Sequence, residues 1–292
     1  MKSEELKIKM ADDMLQIGQA VAQHGTSNDR VYVMRMGDEL PERVFPEIEQ
    51  LARQKNYGKI FAKVPASAAG WLLDRGYVEE ARIPGYFMRQ EDACLMSRFL
   101  KPDRAVSNKL PELPRLRSNA PGSVAAMSKT TVIRPAHPDD VNAMAALFSR
   151  VFPSYPFPIH QPEYLLNTMR DNVRYFLIED NGQLVALSSG EIDKQAKAVE
   201  MTDFATLPSY RAKGLAGQLL SVMEKQLSAD GLLTAYTIAR AVSAGINRLF
   251  FSAGYTFGGT LVNNTQISGG IESMRVWHKP FIKTLDPVRK GF

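Results

Sequence analysis

The 292-residue sequence contains one cysteine, Cys94, and only four histidines. A single thiol excludes an internal disulfide and a cysteine-based metal site. The histidines lie far apart and match no metal-ligand spacing: His24, His137, His160 and His278. We therefore expect no catalytic metal.

Long apolar runs are also missing. No stretch approaches the roughly 20 apolar residues that span a bilayer, and the charged start, MKSEELKIKMADDML, has no apolar signal core. Hydrophobic residues make up 45% and charged residues 23% of the chain, as in soluble globular proteins. These features predict a cytoplasmic protein with no membrane partner.

The basic residues form no tract, although the net charge is +5. Scattered lysines and arginines are typical of an ordinary surface, so we expect no nucleic-acid partner. Only the stretch SYRAKGLAGQLL, residues 209–220, concentrates positive charge on a glycine-containing turn. Glycines inside a helix cost about 1 kcal/mol each relative to alanine, so their use here predicts a function.

Prolines, mixed charge and small residues fill the segment 100–129, which predicts a linker. We therefore divide the chain into an N-terminal domain (1–100), a linker (101–130), a C-terminal domain (131–283) and a tail (284–292). Periodicity in the C-terminal domain predicts the order β-α-α-β-β-β-α-β-α-β-β, a mixed α/β domain.

The N-terminal domain ends with a pattern that resembles the end of the C-terminal domain. SAAGWLLDRGY resembles SAGINRLFFSAGY, and the spacing from Tyr77 to Met96 equals that from Tyr255 to Met274. We predict an internal repeat, with the N-terminal domain a shortened relative of the C-terminal one. It has no glycine-rich loop before a helix and should bind no cofactor.

The stretch FATLPSYRAKGLAGQLL is a predicted strand, turn and helix. The first turn of a helix exposes unpaired N–H groups and the positive end of the helix dipole. Small residues let a ligand approach those groups, which makes this turn a phosphate cradle. Its spacing is not that of a nucleoside-triphosphate P-loop.

The spacing R-x-x-G-x-A of Arg211, Gly214 and Ala216, with Pro208 and Tyr210 before it, resembles the acetyl-CoA loop of the GNAT N-acetyltransferase family. The element order from about 131 to 283 resembles the GNAT fold, a mixed, splayed sheet flanked by helices. The resemblance implies that acetyl-CoA is the co-substrate. Its expected contacts are the strand residues Phe204, Ala205, Thr206 and Leu207, the loop residues Arg211, Ala212, Lys213, Gly214, Leu215, Ala216 and Gly217, and, near the last helix, Ser243 and Asn247.

A carboxylate on the strand before this loop is the expected base. Glu200 and Asp203 are the candidates; alternation along a strand predicts that they face opposite ways, and Asp203 is favoured because it lies nearer the loop. Glu191 and Glu272 come next. The resemblance also implies a tyrosine acid where this chain has Phe250, which leaves Ser252, Tyr255 or a water for that role.

The segments YPFPI, SAGINRLFFSAGY and NNTQISGGIESMRVW resemble the β-lysine N6-acetyltransferase subfamily of GNAT proteins. The resemblance implies acetylation of (3S)-3,6-diaminohexanoate at its terminal amine, which yields a solute of zero net charge. The polar tail segment is either a hairpin loop or a loop that folds over the substrate. The residues expected to bind this acceptor are Tyr155, Phe157, Asn263, Asn264 and Glu272.

Two other functions stay open at this point. One is a GNAT enzyme for another amine, such as a polyamine, an aminoglycoside or a protein lysine. The other is a non-catalytic acetyl-CoA sensor, which the missing tyrosine and the repeated domain permit. A homodimer is also compatible with the sequence.

Overall fold

The computed structural model describes residues 12–106, 110–115, 131–152, 155 and 157–281. Its N-terminal half contains β1 (Asp13–Ile17), β2 (Ala20–Gly25), β3 (Arg30–Arg35), α1 (Pro41–Gln54), β4 (Lys59–Pro65), α2 (Ala66–Leu73), β5 (Val78–Phe87), β6 (Glu91–Phe99) and α3 (Pro102–Ala105). The C-terminal half contains β7 (Thr131–Pro135), α4 (Val141–Val151), α5 (Pro162–Asp171), β8 (Val173–Asp180), β9 (Gln183–Asp193), β10 (Ala198–Thr206), α6 (Leu215–Ala229), β11 (Thr234–Arg240), α7 (Ala244–Ser252), β12 (Thr256–Ile267) and β13 (Gly270–Pro280).

The predicted order of elements in the C-terminal half is confirmed. Helix α6 shows why the pattern is readable, since its apolar positions recur at helical spacing and are buried: Leu215, Leu219, Leu220, Met223 and Leu227. No helix of the described residues is long and apolar enough to cross a membrane. The described part of the chain also contains no cluster of three side chains placed to hold a metal ion.

Both halves use the same strand connections. In each, two parallel strands joined by a helix are followed by a second helix and an antiparallel hairpin. The resulting strand orders are β1-β2-β3-β4-β6-β5 and β8-β9-β10-β11-β13-β12, with β7 as an additional edge strand beside β8 in the C-terminal half. This shared topology supports the predicted repeat. Strands β1 and β2 were not predicted, because their short sequences, DMLQI and AVAQHG, carry little apolar periodicity.

The two halves form a single 13-stranded sheet, in which β5 lies beside β12. Gly259 pairs with Ala81 at this seam. Its φ is +143°, and a Cβ there would lie 2.2 Å from the Glu80 carbonyl oxygen. A Cβ on Gly258 would lie 2.5 Å from the Arg82 carbonyl oxygen. The glycine pair therefore permits the close approach of the halves.

We expect Gly259→Ala to lower the free energy of unfolding by about 2 kcal/mol or more, because it adds both a backbone clash and a disfavoured φ. Gly245→Ala is the matched control, since a Cβ at that helical position meets nothing within 4 Å. Denaturant titration measures both. Equal stability of the two variants would contradict the proposed close approach at the seam.

The polar segment NNTQI belongs to strand β12, so the expectation of a loop is wrong. Much of its polarity serves the contact between halves. The Lys59 ammonium donates to the Val262 carbonyl at 2.7 Å and lies 2.6 Å from the Glu80 carboxylate. The Asn263 amide nitrogen donates to the carbonyls of Arg104 at 3.2 Å and Val106 at 2.9 Å. Part of the predicted linker, α3, is thus packed against β12; residues 107–109, 116–130 and the tail lie outside the described residues.

Three clusters of buried apolar residues fill the fold. Two lie within the separate halves, and the third joins them, with Phe61, Tyr86 and Leu95 from one half and Ala198, Tyr236 and Val276 from the other. The halves therefore share a core as well as a sheet. This shared core borders the cavity described next.

Candidate active site

Strands β10 and β11 separate part-way along their length. They pair in parallel at only three positions, the last being Glu200 opposite Tyr236. Beyond this point β10 stays paired with β9 but makes no ladder pair with β11 in the described structure. The splay expected from the resemblance is present, and Glu200 lies where the gap opens.

The loop after β10 has the geometry of an anion cradle. Gly214 caps helix α6 with φ +76°, and a Cβ there would meet nothing within 4 Å. The backbone N–H groups of residues 212–214 donate to no acceptor among the described residues. The next two amides begin the helix and have no preceding carbonyl to bond. Exposed Arg211 and Lys213 flank these amides, so the loop fits a pyrophosphate.

A cavity of about 760 Å³ lies between the two halves, next to the splay. The two halves of the protein contribute mainly opposite charges to its lining. The C-terminal half contributes mainly acids: Asp171, Glu191, Asp193, Glu200 and Asp203, with Lys194. The N-terminal half contributes mainly bases: Arg30, Arg35 and Lys63, with Asp12. The cavity therefore suits a ligand that carries both ammonium and carboxylate groups.

Asp203 reaches the cavity because of a β-bulge. The register of β10 against β9 shifts between Thr202 and Ala205, and Asp203 has φ +56°. The prediction that Glu200 and Asp203 face opposite ways is therefore wrong, since both line the cavity. Both Asp203 carboxylate oxygens accept hydrogen bonds, one from the Tyr155 hydroxyl and one from the Ser189 hydroxyl at 2.6 Å.

Glu200 is a cavity carboxylate whose pKa is raised toward neutral pH. Burial, and the charge of Glu191 directly across on β9, raise the pKa of Glu200 to about 7. Burial, and nearby Asp203, also raise the pKa of Glu191. Burial raises the pKa of Asp203 as well, although its hydrogen bonds oppose the shift. A base is most effective when its pKa lies near the working pH, which favours Glu200.

Lys63 brings a positive charge from the N-terminal half to these acids. Its ammonium donates to the hydroxyls of Tyr86 at 2.7 Å and Tyr236 at 3.2 Å. It also lies 4.7 Å from the centre of the Tyr86 ring and 5.3 Å from that of Tyr236. Burial lowers the pKa of Lys63, while Asp193, Glu200 and Glu191 oppose the shift. Lys63 thus offsets part of the acidic charge.

Comparison with known proteins agrees with this geometry. The family model described as "Acetyltransferase (GNAT) family" matches residues 141–254. A β-lysine N6-acetyltransferase of Methanococcus maripaludis is 37% identical over 273 residues, which cover 92% of this chain and 98% of that protein. The chain belongs to the GNAT acetyltransferase family.

Two further relatives match across both halves. A β-lysine N6-acetyltransferase of Methanosarcina mazei is 34% identical over 81% of this chain and 96% of its own length. The N-acetyltransferase YodP of Bacillus subtilis is 30% identical over 89% of this chain and 95% of its own length. The likeness is therefore not limited to the segment that the family model matches.

Several residues predicted for this GNAT site lie elsewhere. Ser252 is exposed at the end of α7 and lines no part of the cavity. Tyr255 is buried beside Phe250, with the ring centres 4.9 Å apart, and is also absent from the cavity lining. Phe250 packs edge-on against Phe204. An apolar stack therefore occupies the place of the expected acid.

Asn247 has a structural role in the described residues, and its contact with acetyl-CoA stays a prediction. Its amide nitrogen donates to the carbonyls of Arg240 at 2.9 Å and Ser243 at 2.8 Å, and its oxygen accepts from the Trp277 indole at 2.9 Å. All of its polar atoms are thus engaged. The Ser243 hydroxyl, by contrast, has no partner among the described residues and stays a predicted contact.

The predicted substrate residues divide in two groups. Tyr155, Phe157 and Asn264 line the cavity. Asn263 points to the segment around α3, and Glu272 forms two hydrogen bonds with Arg240, at 2.6 and 2.8 Å. Asn263 and Glu272 are absent from the cavity lining, so the structure does not support their predicted roles in substrate binding.

Sequence reasoning missed Arg30 and Lys63, and it ranked Glu191 only as a reserve base. Lys63 and Glu191 are charged residues within the strands KIFAKV of β4 and QLVALSSGEID of β9, and Arg30 is the first residue of β3, RVYVMR. Such a residue must be paired or functional when buried. These charged strand residues could have been recognised in the sequence. The sequence could not show that residues of both halves line one cavity.

Proposed function

We propose that the protein transfers acetyl from acetyl-CoA to the terminal amine of β-lysine, (3S)-3,6-diaminohexanoate. The observation that carries this proposal is the cavity, whose acids come mainly from one half and whose bases come mainly from the other. Two ammonium groups and one carboxylate complement such a lining. The named activity of two relatives that match over both halves supports the same acceptor.

Acetyl-CoA supplies the acetyl group as a thioester. The cradle at residues 211–217 would hold its pyrophosphate, because free amides and a helix N-terminus favour an anion. The open edge of β10 at residues 204–207 would pair with its pantetheine arm. The hydroxyl of Ser243 is a further proposed contact.

Glu200 is the proposed base. Attack on the thioester needs a neutral amine, yet an alkylammonium has a pKa near 10.4, so only about one molecule in a thousand is neutral at pH 7. Glu200 lies where the strands part and has a pKa near 7, so its carboxylate can hold the ammonium and accept its proton. Asp203 is held by Tyr155 and Ser189, and we assign it to shaping the site and attracting the cation.

The N-terminal half is proposed to close the acceptor site. It supplies one wall of the cavity, including Arg30, Tyr32 and Lys63. The domain boundaries at 100, 130 and 283, a cytoplasmic location, a homodimer and a compatible-solute role for the product stay predictions of the same account.

An amine panel tests the function. Purified protein is incubated with acetyl-CoA and, separately, β-lysine, α-lysine, spermidine, an aminoglycoside and a lysine peptide, and free thiol release is followed. We expect the highest kcat/KM for β-lysine. A higher kcat/KM for another amine would mean that this amine, rather than β-lysine, is the acceptor. If no amine caused thiol release, the alternative of a non-catalytic acetyl-CoA sensor would be favoured.

The repeat raises the question of how many acetyl-CoA molecules each chain binds. Among the described residues, only the C-terminal half has a glycine-capped cradle before a helix: α1 begins after Leu40, which is extended at φ −79° and ψ 145°. Calorimetric titration should therefore give one acetyl-CoA per chain. A value of two would show that the N-terminal half also binds the co-substrate.

A further inference from the structure

Four buried polar atoms that have no hydrogen-bond partner among the described residues belong to side chains that line the cavity. They are Arg30 Nε, Asp12 Oδ1, Gln23 Oε1 and Asn264 Oδ1. The side chains of Gln23 and Asn264 belong to residues only 2% and 1% exposed, and Arg30 is 5% exposed. Buried polar atoms almost always have partners. Four unpaired atoms beside one cavity therefore point to a polar ligand.

These side chains belong to one cluster. Arg30 on β3 pairs with Gly25 on β2, and the neighbouring pair on the same face is Gln23 with Tyr32. Gly25 leaves room for the Asp12 carboxylate, since a Cβ there would lie 1.9 Å from Asp12 Oδ1. The other Asp12 oxygen accepts from the Asn28 amide at 2.7 Å.

The cluster is also tied to the C-terminal half. The Arg30 Nη1 group donates to the Asn264 carbonyl and, at 3.1 Å, to the Thr265 hydroxyl. This leaves Arg30 Nε without a partner. Burial lowers the pKa of Arg30 to about 10, which keeps the guanidinium cationic at neutral pH.

Tyr32 lies near both this cluster and the acids around Glu200. The charges of Glu200, Arg30 and Glu191 all act on its hydroxyl group, and the Arg30 guanidinium lies 5.3 Å from the centre of its ring. Arg30 itself interacts with Tyr32, Asp12 and Arg104. An elongated ligand whose amine lies at Glu200 would thus extend past Tyr32 toward Arg30.

The unpaired atoms match the head of a β-amino acid. A carboxylate accepts hydrogen bonds, and Arg30 Nε is a charged donor. An ammonium has three N–H donors, and the three remaining atoms are acceptors, one of them on a carboxylate. The cluster thus offers a partner to both charged groups at that end of 3,6-diaminohexanoate.

We propose that this cluster is the subsite for the amino-acid head of the acceptor. Arg30 binds the carboxylate, and the oxygens of Asp12, Gln23 and Asn264 bind the 3-ammonium. The assignment rests on the proposed function and adds the residues that select the acceptor. Recognition of both groups distinguishes β-lysine from simple diamines and from amines without the second ammonium.

Three acceptors separate the two contacts. They are 3,6-diaminohexanoate, 6-aminohexanoate, which lacks the 3-ammonium, and 3,6-diaminohexanamide, which lacks the carboxylate charge. Each keeps the amine that is acetylated. kcat/KM with acetyl-CoA is measured for the wild type, Arg30→Met, Gln23→Leu and the control Arg98→Met, whose ion pair with Glu49 lies outside the cavity.

We expect Arg30→Met to lower kcat/KM about 10- to 100-fold for both carboxylates and to leave the carboxamide within about threefold, the range for one charge-assisted hydrogen bond. Gln23→Leu should lower kcat/KM about 3- to 10-fold for both acceptors that carry the 3-ammonium, but not for 6-aminohexanoate. Arg98→Met should change none of the three.

Equal losses on all three acceptors would assign Arg30 and Gln23 a purely structural role and overturn the subsite. Unchanged rates in both variants would overturn it as well, while the proposed function would stand if the wild type acetylates 3,6-diaminohexanoate. A wild type inactive on all three acceptors would remove the proposed function, and the subsite with it.

Discussion

Glu200→Gln should lower kcat/KM for the acceptor by about 100-fold or more, the usual range for loss of a general base. The amide keeps the shape of the side chain but cannot accept the amine proton. Part of the loss should return at high pH, because more of the free amine is then neutral. Initial rates of thiol release between about pH 6 and 10 measure both effects.

The pH dependence of wild-type kcat/KM should follow the titration of Glu200. A carboxylate with a pKa of about 7 is protonated at lower pH and cannot act as a base. Wild-type kcat/KM should therefore rise around pH 7 and then level off. In Glu200→Gln this inflection should vanish, and the lower rate should instead keep rising toward high pH as more of the free amine becomes neutral. The same raised pKa means that the folded state favours protonated Glu200, so its stabilising contribution is present at low pH and is lost as pH rises through 7.

Glu272→Gln is the matched control, since Glu272 is ion-paired with Arg240 outside the cavity. It should keep the wild-type rate and profile. Asp203→Asn is the informative comparison, because Asp203 lines the same cavity with both oxygens hydrogen-bonded. A full rate in Glu200→Gln together with a lost pH dependence in Asp203→Asn would make Asp203 the base; full rates in both would leave Glu191 as the candidate.

Gly214→Asp should strongly weaken acetyl-CoA binding. Its side chain would project from the cap of α6, where a Cβ meets no protein atom, and would place a negative charge beside the pyrophosphate. Two unit charges about 4 Å apart interact by about 1 to 4 kcal/mol near a protein surface, which corresponds to roughly 5- to 1,000-fold in affinity. Calorimetric titration measures the loss.

Gly214→Asn separates charge from backbone strain. Asparagine and aspartate have similar shapes, and both tolerate the left-handed conformation better than most residues, which Gly214 adopts at φ +76°. The aspartate variant should bind more weakly than the asparagine variant, with both showing native circular dichroism. Equal affinities would mean that the cradle does not hold a phosphate.

The sequence was most informative where local chemistry decides the structure. The strand, turn and helix around Gly214 follow from periodicity and from one left-handed position, and the splay beside Glu200 followed from the resemblance. The orientation of Asp203 did not follow, because alternation assumes a regular strand and a bulge intervenes at that residue. No local signal marks that bulge.

The acceptor site was less predictable because it depends on contacts distant in sequence. Arg30 and Asn264 are 234 positions apart, yet they meet at one end of the cavity. Asn263 and Glu272 are polar residues of the same tail, and they serve the contact to α3 and an ion pair instead. Which of these neighbours reaches the cavity depends on how β12 docks on the N-terminal half.

The most direct test of the account identifies the acetylated nitrogen. The protein is incubated with acetyl-CoA and (3S)-3,6-diaminohexanoate, and the product is analysed by mass spectrometry and two-dimensional NMR. The account predicts a single acetyl group on the terminal nitrogen, with the 3-amino group free. Acetylation at the 3-amino group, or unchanged 3,6-diaminohexanoate, would contradict it.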